Sequence, residues 1–217
     1  MRSAIDKLNN FLSQFEAFRY KKGETILRSG DTPPGVLFIK KGYVKDYSVS
    51  KEGEELTLIV FKPEDFFPMQ WAINNRQNTH YFEAMSRVEL CRIPKDKFIN
   101  FIKNNPDVFL ALTSHILLRL GGLLQRMEYL AFGNAYEKVA SILAILAERF
   151  GKKEKKEIVI QVVLTHKDIA DLLGMARETV SVEIKKLEKR GLIGYRGRLI
   201  RIRNVEGLQK ESLLEVA

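Results

Sequence analysis

Residues 164–202, LTHKDIADLLGMARETVSVEIKKLEKRGLIGYRGRLIRI, leave the chain few ways to fold. Thr165 followed three residues later by Asp168 marks a capped helix start, because the carboxylate can answer amides that the first turn leaves unbonded. Ile169, Ala170, Leu172 and Leu173 then make an apolar face, and Gly174 suits a tight turn where a side chain would be costly. A second helix is expected from Ala176 or Arg177, with Val180, Ile184 and Leu187 recurring at helical spacing on the side that meets the first helix. Ala170 is small where the two helices must cross. Gly191 marks the helix end. Leu192-Ile193 and Leu199-Ile200 flank Tyr195-Arg196-Gly197-Arg198, the expected tip of a hairpin. Helix, turn, helix and hairpin in this order make a winged helix-turn-helix, whose second helix fits the DNA major groove. A plain helical hairpin with a solvated basic face shares the apolar spacing but has no need of the turn glycine, the small crossing residue or the wing.

What remains exposed is suited to DNA. Arg177, Glu178 and Ser181 fall on the early, outward side of the second helix. Arginine can donate a fork of hydrogen bonds to guanine, and glutamate can accept from cytosine N4. A bare acid facing phosphates would be repelled, so Glu178 is expected to read a base or to orient Arg177. Thr179 and Lys185 suit phosphate contacts, as do Thr165 and Lys167 at the first helix start and Arg196 and Arg198 in the wing; such contacts position a protein without reading sequence.

Composition agrees with an anionic partner. The 217 residues carry 36 Lys and Arg against 27 Asp and Glu, a formal net charge of +9. The lone Cys91 excludes an internal disulfide and a cysteine-rich cluster within one chain, and its place between Leu90 and Ile93 indicates a core or half-buried thiol. Met1 to Phe11 is polar and charged, unlike a secretory leader. The apolar run from Val108 to Leu124 is interrupted by His115 and Arg119, which makes a poor membrane span. A cytoplasmic protein with no membrane partner is expected. No nucleophile, base and orienting group share a motif, so an enzyme is not expected. A stand-alone small-molecule sensor or structural dimer is the competing reading, and it leaves Arg177, Glu178 and the basic wing unexplained.

The N-terminal half changes character. Ser3 to Phe18 has the spacing of an amphipathic helix, with Ile5, Leu8, Leu12 and Phe15 on one side. From Tyr20 to Pro94, short strand-like runs alternate with glycine turns, a pattern of an antiparallel roll and not of a parallel sheet. Helical segments follow from Pro94. From Pro106, Leu110, Thr113, Leu117, Leu120, Leu124 and Met127 recur at alternating spacings of three and four, a coiled-coil-like seam expected to join two copies of the chain. An ordinary core helix of one protomer is the alternative. Lys152 to Glu157 is expected as a charged turn. The boundaries that follow are a roll over 1–105, a dimerisation helix over 106–132 and a winged helix-turn-helix over 133–217.

In this order the parts resemble the cyclic-AMP receptor protein and fumarate–nitrate reductase regulator family over nearly the whole chain. The resemblance rests on Lys22-Gly23-Glu24 with Gly30-Asp31, on Phe38-Ile39-Lys40-Lys41-Gly42, and above all on Ala176-Arg177-Glu178-Thr179-Val180-Ser181. It implies an α+β chain: an N-terminal antiparallel β-roll like a cyclic-nucleotide-binding jelly roll, a long dimerisation helix and a C-terminal winged helix-turn-helix. It also implies a homodimeric transcription regulator that binds a palindromic operator on double-stranded DNA and contacts RNA polymerase. Arg177 and Glu178 would then be the base-reading pair. Where the family often has a further arginine this chain has Val182, which can offer a base only apolar contact, for instance to a thymine methyl.

The ligand site departs further. The family's cyclic-nucleotide binders hold the ribose with a glutamate and the cyclic phosphate with an Arg-Ser pair. The matching stretches here read Glu64-Asp65-Phe66-Phe67-Pro68-Met69-Gln70 and Thr79-His80-Tyr81. A buried phosphate without matched donors is unfavourable, so cyclic AMP is not expected and no cofactor is. Phe67, Met69, Trp71, Thr79, His80 and Tyr81 mark an aromatic neighbourhood that fits either an uncharged effector or a roll filled by its own side chains.

Overall fold

The computed structural model describes residues 2–214, and side chains within residues 6–214. Ile5 therefore lies outside the described side chains. The chain divides into two compact units, one of Met1–Glu52 with Leu58–Arg119 and one of Gly53–Thr57 with Leu120–Ala217.

The first unit opens with helix α1 (Arg2–Leu12) and continues through strands β1 (Ala17–Tyr20), β2 (Thr25–Leu27), β3 (Val36–Lys41), β4 (Val44–Val49), β5 (Glu55–Phe61) and β6 (Phe66–Phe67). Helix α2 (Met69–Asn74), strands β7 (Tyr81–Ala84) and β8 (Val88–Ile93) and helix α3 (Lys95–Asn104) follow. The strands form two four-stranded sheets in the orders β1-β8-β3-β6 and β2-β7-β4-β5. Their facing sides enclose a core of Leu27, Leu37, Ile39, Val44, Phe61, Phe67, Phe82, Ala84, Val88 and Leu90. Alternate residues of β3 and β8 (Val36, Phe38, Cys91 and Ile93) point the other way and pack with Leu12, Ala72, Phe98 and Ile102 from the helices. The first sheet is thus covered on both faces, which is why β3 is a continuous apolar run. Cys91 is fully buried there.

The helix expected from Ser3 to Phe18 stops at Leu12, because Ala17–Tyr20 pairs antiparallel with β8 and satisfies the edge of that sheet. The short helix α2 over Met69–Asn74 has no counterpart in the sequence reading; it is too brief to show a period.

Helix α4 (Pro106–Phe132) runs unbroken through Gly121-Gly122. It is long and apolar enough to cross a membrane by length and composition, with mean hydropathy 1.5 over its most apolar window, of which 6% is buried. Leu110, Leu117, Leu118, Leu124 and Met127 are each more than half exposed.

The second unit contains helix α5 (Ala135–Phe150), strands β9 (Gly151–Glu154) and β10 (Glu157–Ile160), helices α6 (His166–Leu173) and α7 (Arg177–Lys189), strands β11 (Ile193–Arg196) and β12 (Leu199–Ile202), and helix α8 (Val205–Lys210). Asn134 and Glu137 form a reciprocal capping box at the start of α5. The strands make one sheet in the order β11-β12-β10-β9. The charged segment expected as a turn is a hairpin whose strands β9 and β10 pair from Glu154↔Glu157 to Gly151↔Ile160. Pairing with the apolar strand β10 overrides the low strand propensity of the lysines.

Candidate nucleic-acid interface

The local rules at the C-terminal motif are met residue by residue. Thr165 caps α6: its hydroxyl accepts from the Asp168 amide at 3.1 Å, and the Asp168 carboxylate accepts from the Thr165 amide at 2.7 Å. Gly174 follows in the left-handed region at φ 60°, and the Met175 amide donates back to the Ala170 carbonyl at 3.1 Å. Ala170 is 1% exposed, and Ile169, Val180, Ile184 and Leu187 are fully buried. Each such side chain contributes about 1.5–3 kcal/mol of burial, so the unexposed side of α7 is fixed to its own unit. The wing turns at Gly197, also at φ 60°.

The outward side of α7 presents Arg177, Glu178, Val182 and Lys185, all exposed, with Val182 at 51%. Among the described residues, no ion pair is formed by Arg177, Glu178, Lys185 or by Arg198 at the wing tip. Thr179 is half-buried. Other basic residues of the motif stay exposed but are paired within the chain. Lys167 pairs with the buried Asp171, Lys186 with the buried Glu183 at 2.8 Å, and Arg196 with Glu154. Arg190 forks onto Glu211 with two contacts of 2.7 Å. Thr165, Lys167 and Arg196, expected at phosphates, are therefore already engaged within the chain. The cap and the i,i+4 pair are local and form wherever the spacing permits, whereas Glu154 meets Arg196 from 42 residues away.

Ser181, placed by sequence among the base readers, donates to the Arg177 carbonyl at 2.9 Å and lies 2.7 Å from His166 Nδ1. The other ring nitrogen, Nε2, is 3.2 Å from the Tyr195 hydroxyl on β11. Sequence reasoning assigns no such link to His166 and Tyr195, since their partners are 15 and 29 residues away and no short-range pattern announces them. Burial, and then the charge of Glu188, push the Tyr195 hydroxyl's pKa up.

The aromatic residues expected around an effector do not converge. Phe67 is in the roll core, in a stack with Phe61 at 5.3 Å and Phe82 at 4.9 Å. Met69 and Trp71 pack on the helix-covered face instead. Tyr81 stacks on Tyr47 at 5.3 Å, and by strand alternation both point away from the core face that Val44 and Phe82 share. Thr79 is exposed. His80 Nδ1 lies 3.0 Å from the buried Asp46 carboxylate. Among the described residues no cluster of three His, Cys, Asp or Glu is placed to hold a metal ion.

Burial pushes the Asp46 carboxyl from its ordinary 3.8 up to about 6, with His80 opposing the rise. A carboxyl raised in the folded state binds its proton more tightly than in the unfolded chain. Its contribution to stability is complete below about pH 4 and is lost as pH rises through about 6. The difference in thermal midpoint between the chain and its Asp46→Asn variant should shift against the unsubstituted chain over that interval; a flat difference would refute the assignment.

Arg119 and Arg126, both on α4, turn into their own chain. Arg119 pairs with the buried Asp65 and lies 5.2 Å from the Phe61 ring centre. Arg126 is buried and donates to the carbonyls of Thr57, at 2.7 Å, and Leu172. Helical spacing shows which residues share a face but cannot say what meets that face.

Comparison with known proteins agrees with both halves of this description. Residues 17–105 match the cyclic nucleotide-binding domain family and residues 137–211 the Crp-like helix-turn-helix domain family. The chain is 24% identical over 204 residues to the fumarate and nitrate reduction regulatory protein of Yersinia pestis, covering 94% of this chain and 80% of that one. It is 27% identical over 191 residues to the cAMP-activated global transcriptional regulator CRP of Pasteurella multocida, covering 88% and 91%. A solved transcriptional regulator of the CRP/FNR family from Thermus thermophilus superposes with a TM-score of 0.72 at 26% identity, covering 90% of this chain and 97% of that one. The relatives thus include both a cAMP-activated protein and a fumarate and nitrate reduction regulator. A roll and a helix-turn-helix each matched by a family model, on a fold shared with a solved CRP/FNR-family regulator, make this chain a DNA-binding transcription regulator of the CRP/FNR family.

Proposed function

We propose that the chain acts in the cytoplasm as a homodimer that binds a palindromic operator and reads it with Arg177, Glu178 and the apolar edge of Val182, contacting RNA polymerase as the family's regulators do. The carrying observation is the pair Arg177 and Glu178. Both are exposed and, among the described residues, free of ion pairs, on a helix whose opposite side is fully buried. A side chain held out with its hydrogen-bonding groups unspent is available to base edges. Lys185 and Arg198 are available to phosphates in the same way. The exposed leucines of α4 support pairing with a second copy, and the inward turn of Arg119 and Arg126 fits a helix with one face on its own chain and one on its partner. Pairing also accounts for the apolar surface without a membrane.

The roll is proposed not to bind cyclic AMP. Its interior holds the stacked Phe61, Phe67 and Phe82 and the buried Asp46 carboxylate, next to which an anionic phosphate would be repelled. Fluorescence anisotropy with a duplex from the regulator's own upstream region tests the DNA reading. The logarithm of affinity should fall linearly with the logarithm of salt concentration, with a slope of about −0.9 for each neutralised phosphate. The native duplex should stay bound at salt that releases a scrambled one, and simultaneous release of both would defeat the proposal. Cyclic AMP should leave the binding curve unmoved.

A further inference from the structure

We infer that His166 is a positioning residue that sets the wing against the recognition helix, so that wing contacts to DNA depend on its Tyr195 hydrogen bond. His166, the first residue of α6, touches Ser181 of α7 at 2.7 Å and Tyr195 of β11 at 3.2 Å. One half-buried ring therefore links the three elements that would face DNA. The hydrogen bonds can be counted. Ser181 gives its single hydroxyl proton to the Arg177 carbonyl at 2.9 Å, so its oxygen accepts from Nδ1–H of the ring. With the ring proton on Nδ1, Nε2 is the atom that accepts the Tyr195 hydroxyl proton. The chain runs without a gap from the wing strand to the first turn of α7, the turn that carries Arg177. Ser181 is in consequence a structural relay and is not free to read a base. Glu188 of α7 also acts on the Tyr195 hydroxyl, but through its charge and not through a hydrogen bond, so it does not take the place of the ring.

This inference rests on the reading that α7 enters the groove, and the two can fail separately. The full chain and its variants are compared on the operator duplex by anisotropy and hydroxyl-radical footprinting. His166→Ala and Tyr195→Phe are each expected to weaken binding roughly 2- to 10-fold, the worth of one net hydrogen bond, and the double variant no more than either alone. Protection should be lost at the sugars flanking the half-site under the wing, while guanine preference stays. His166→Gln, whose amide reaches toward the Nε2 position, should restore the flank; His166→Asn, which reaches only toward Nδ1, should not. Tyr195→Phe keeps the ring in place should His166→Ala fold poorly. Multiplying losses, unchanged flank protection in Tyr195→Phe, or equal rescue by Asn and Gln would overturn the inference. If instead Arg177→Ala left every base preference intact, the groove reading would fall while the link from His166 to the wing could still hold.

Discussion

Arg177→Ala should weaken operator binding by about 1–3 kcal/mol at each guanine-bearing half-site, on the order of 5- to 150-fold. Because a homodimer carries the change twice, a symmetric operator should lose roughly double that free energy, provided the half-sites act independently. The size follows from what is removed. Arg177 is exposed and makes no ion pair among the described residues, so its fork is not shared with the protein before DNA arrives. Its deletion leaves the folded chain unstrained. The thermal midpoint should therefore stay put while selectivity at one base pair relaxes. Lys185→Ala makes the contrast: with one phosphate partner fewer, the variant should bind all sequences evenly more weakly and show a salt slope reduced by about one unit. Competition titrations with duplexes substituted one pair at a time distinguish the cases. An Arg177→Ala profile parallel to that of Lys185→Ala would show that Arg177 touches backbone and reads nothing.

The winged motif was legible because its signals are local. Thr165 with Asp168, Gly174 in the turn and Val180 with Ile184 and Leu187 each act within one or two helical turns, and all occur as expected. The roll was legible for a related reason: alternation and glycine turns are short-range consequences of an antiparallel sheet. What escaped depends on partners far along the chain. Ala17–Tyr20 has no strand signature of its own and is a strand because β8 offers an edge. Arg119 follows the helical period of a surface residue, yet Asp65, 54 residues earlier, draws it inward. His166 reads in sequence as a plain helix-start residue because Ser181 and Tyr195 meet it only once α6, α7 and β11 are assembled. The effector residues scattered for a geometric reason: Phe67, Tyr81 and Trp71 are close in sequence type and region, but strand alternation and a short helix send them to different faces.

Leu117→Asp is expected to have the largest effect of all. Leu117 is 60% exposed on α4, with Leu110 at 70% and Leu124 at 53% one heptad to either side. In a parallel pair these positions meet their own copies across the two-fold axis, so one substitution sets two carboxylates against each other in an apolar seam. Unpaired charge in such surroundings costs several kcal/mol, enough to split the dimer at micromolar concentration. DNA binding should then fail for a reason unconnected with the recognition helix. A dimer holds two recognition helices about 34–36 Å apart, one turn of DNA, and the second half-site is engaged at the high effective concentration set by the first. Losing that linkage should cost on the order of 10²- to 10⁴-fold in operator affinity. Sedimentation should report a monomer and far-UV circular dichroism an unchanged helix content, because the face of α4 that holds Val108, Arg126 and Tyr129 is buried within the chain itself. A half-site duplex should bind the variant and the original chain alike. If Leu117→Asp stayed dimeric, the exposed leucines would have to serve a surface other than this seam; if the monomer held the full operator as tightly as before, the palindrome would have no need of two chains.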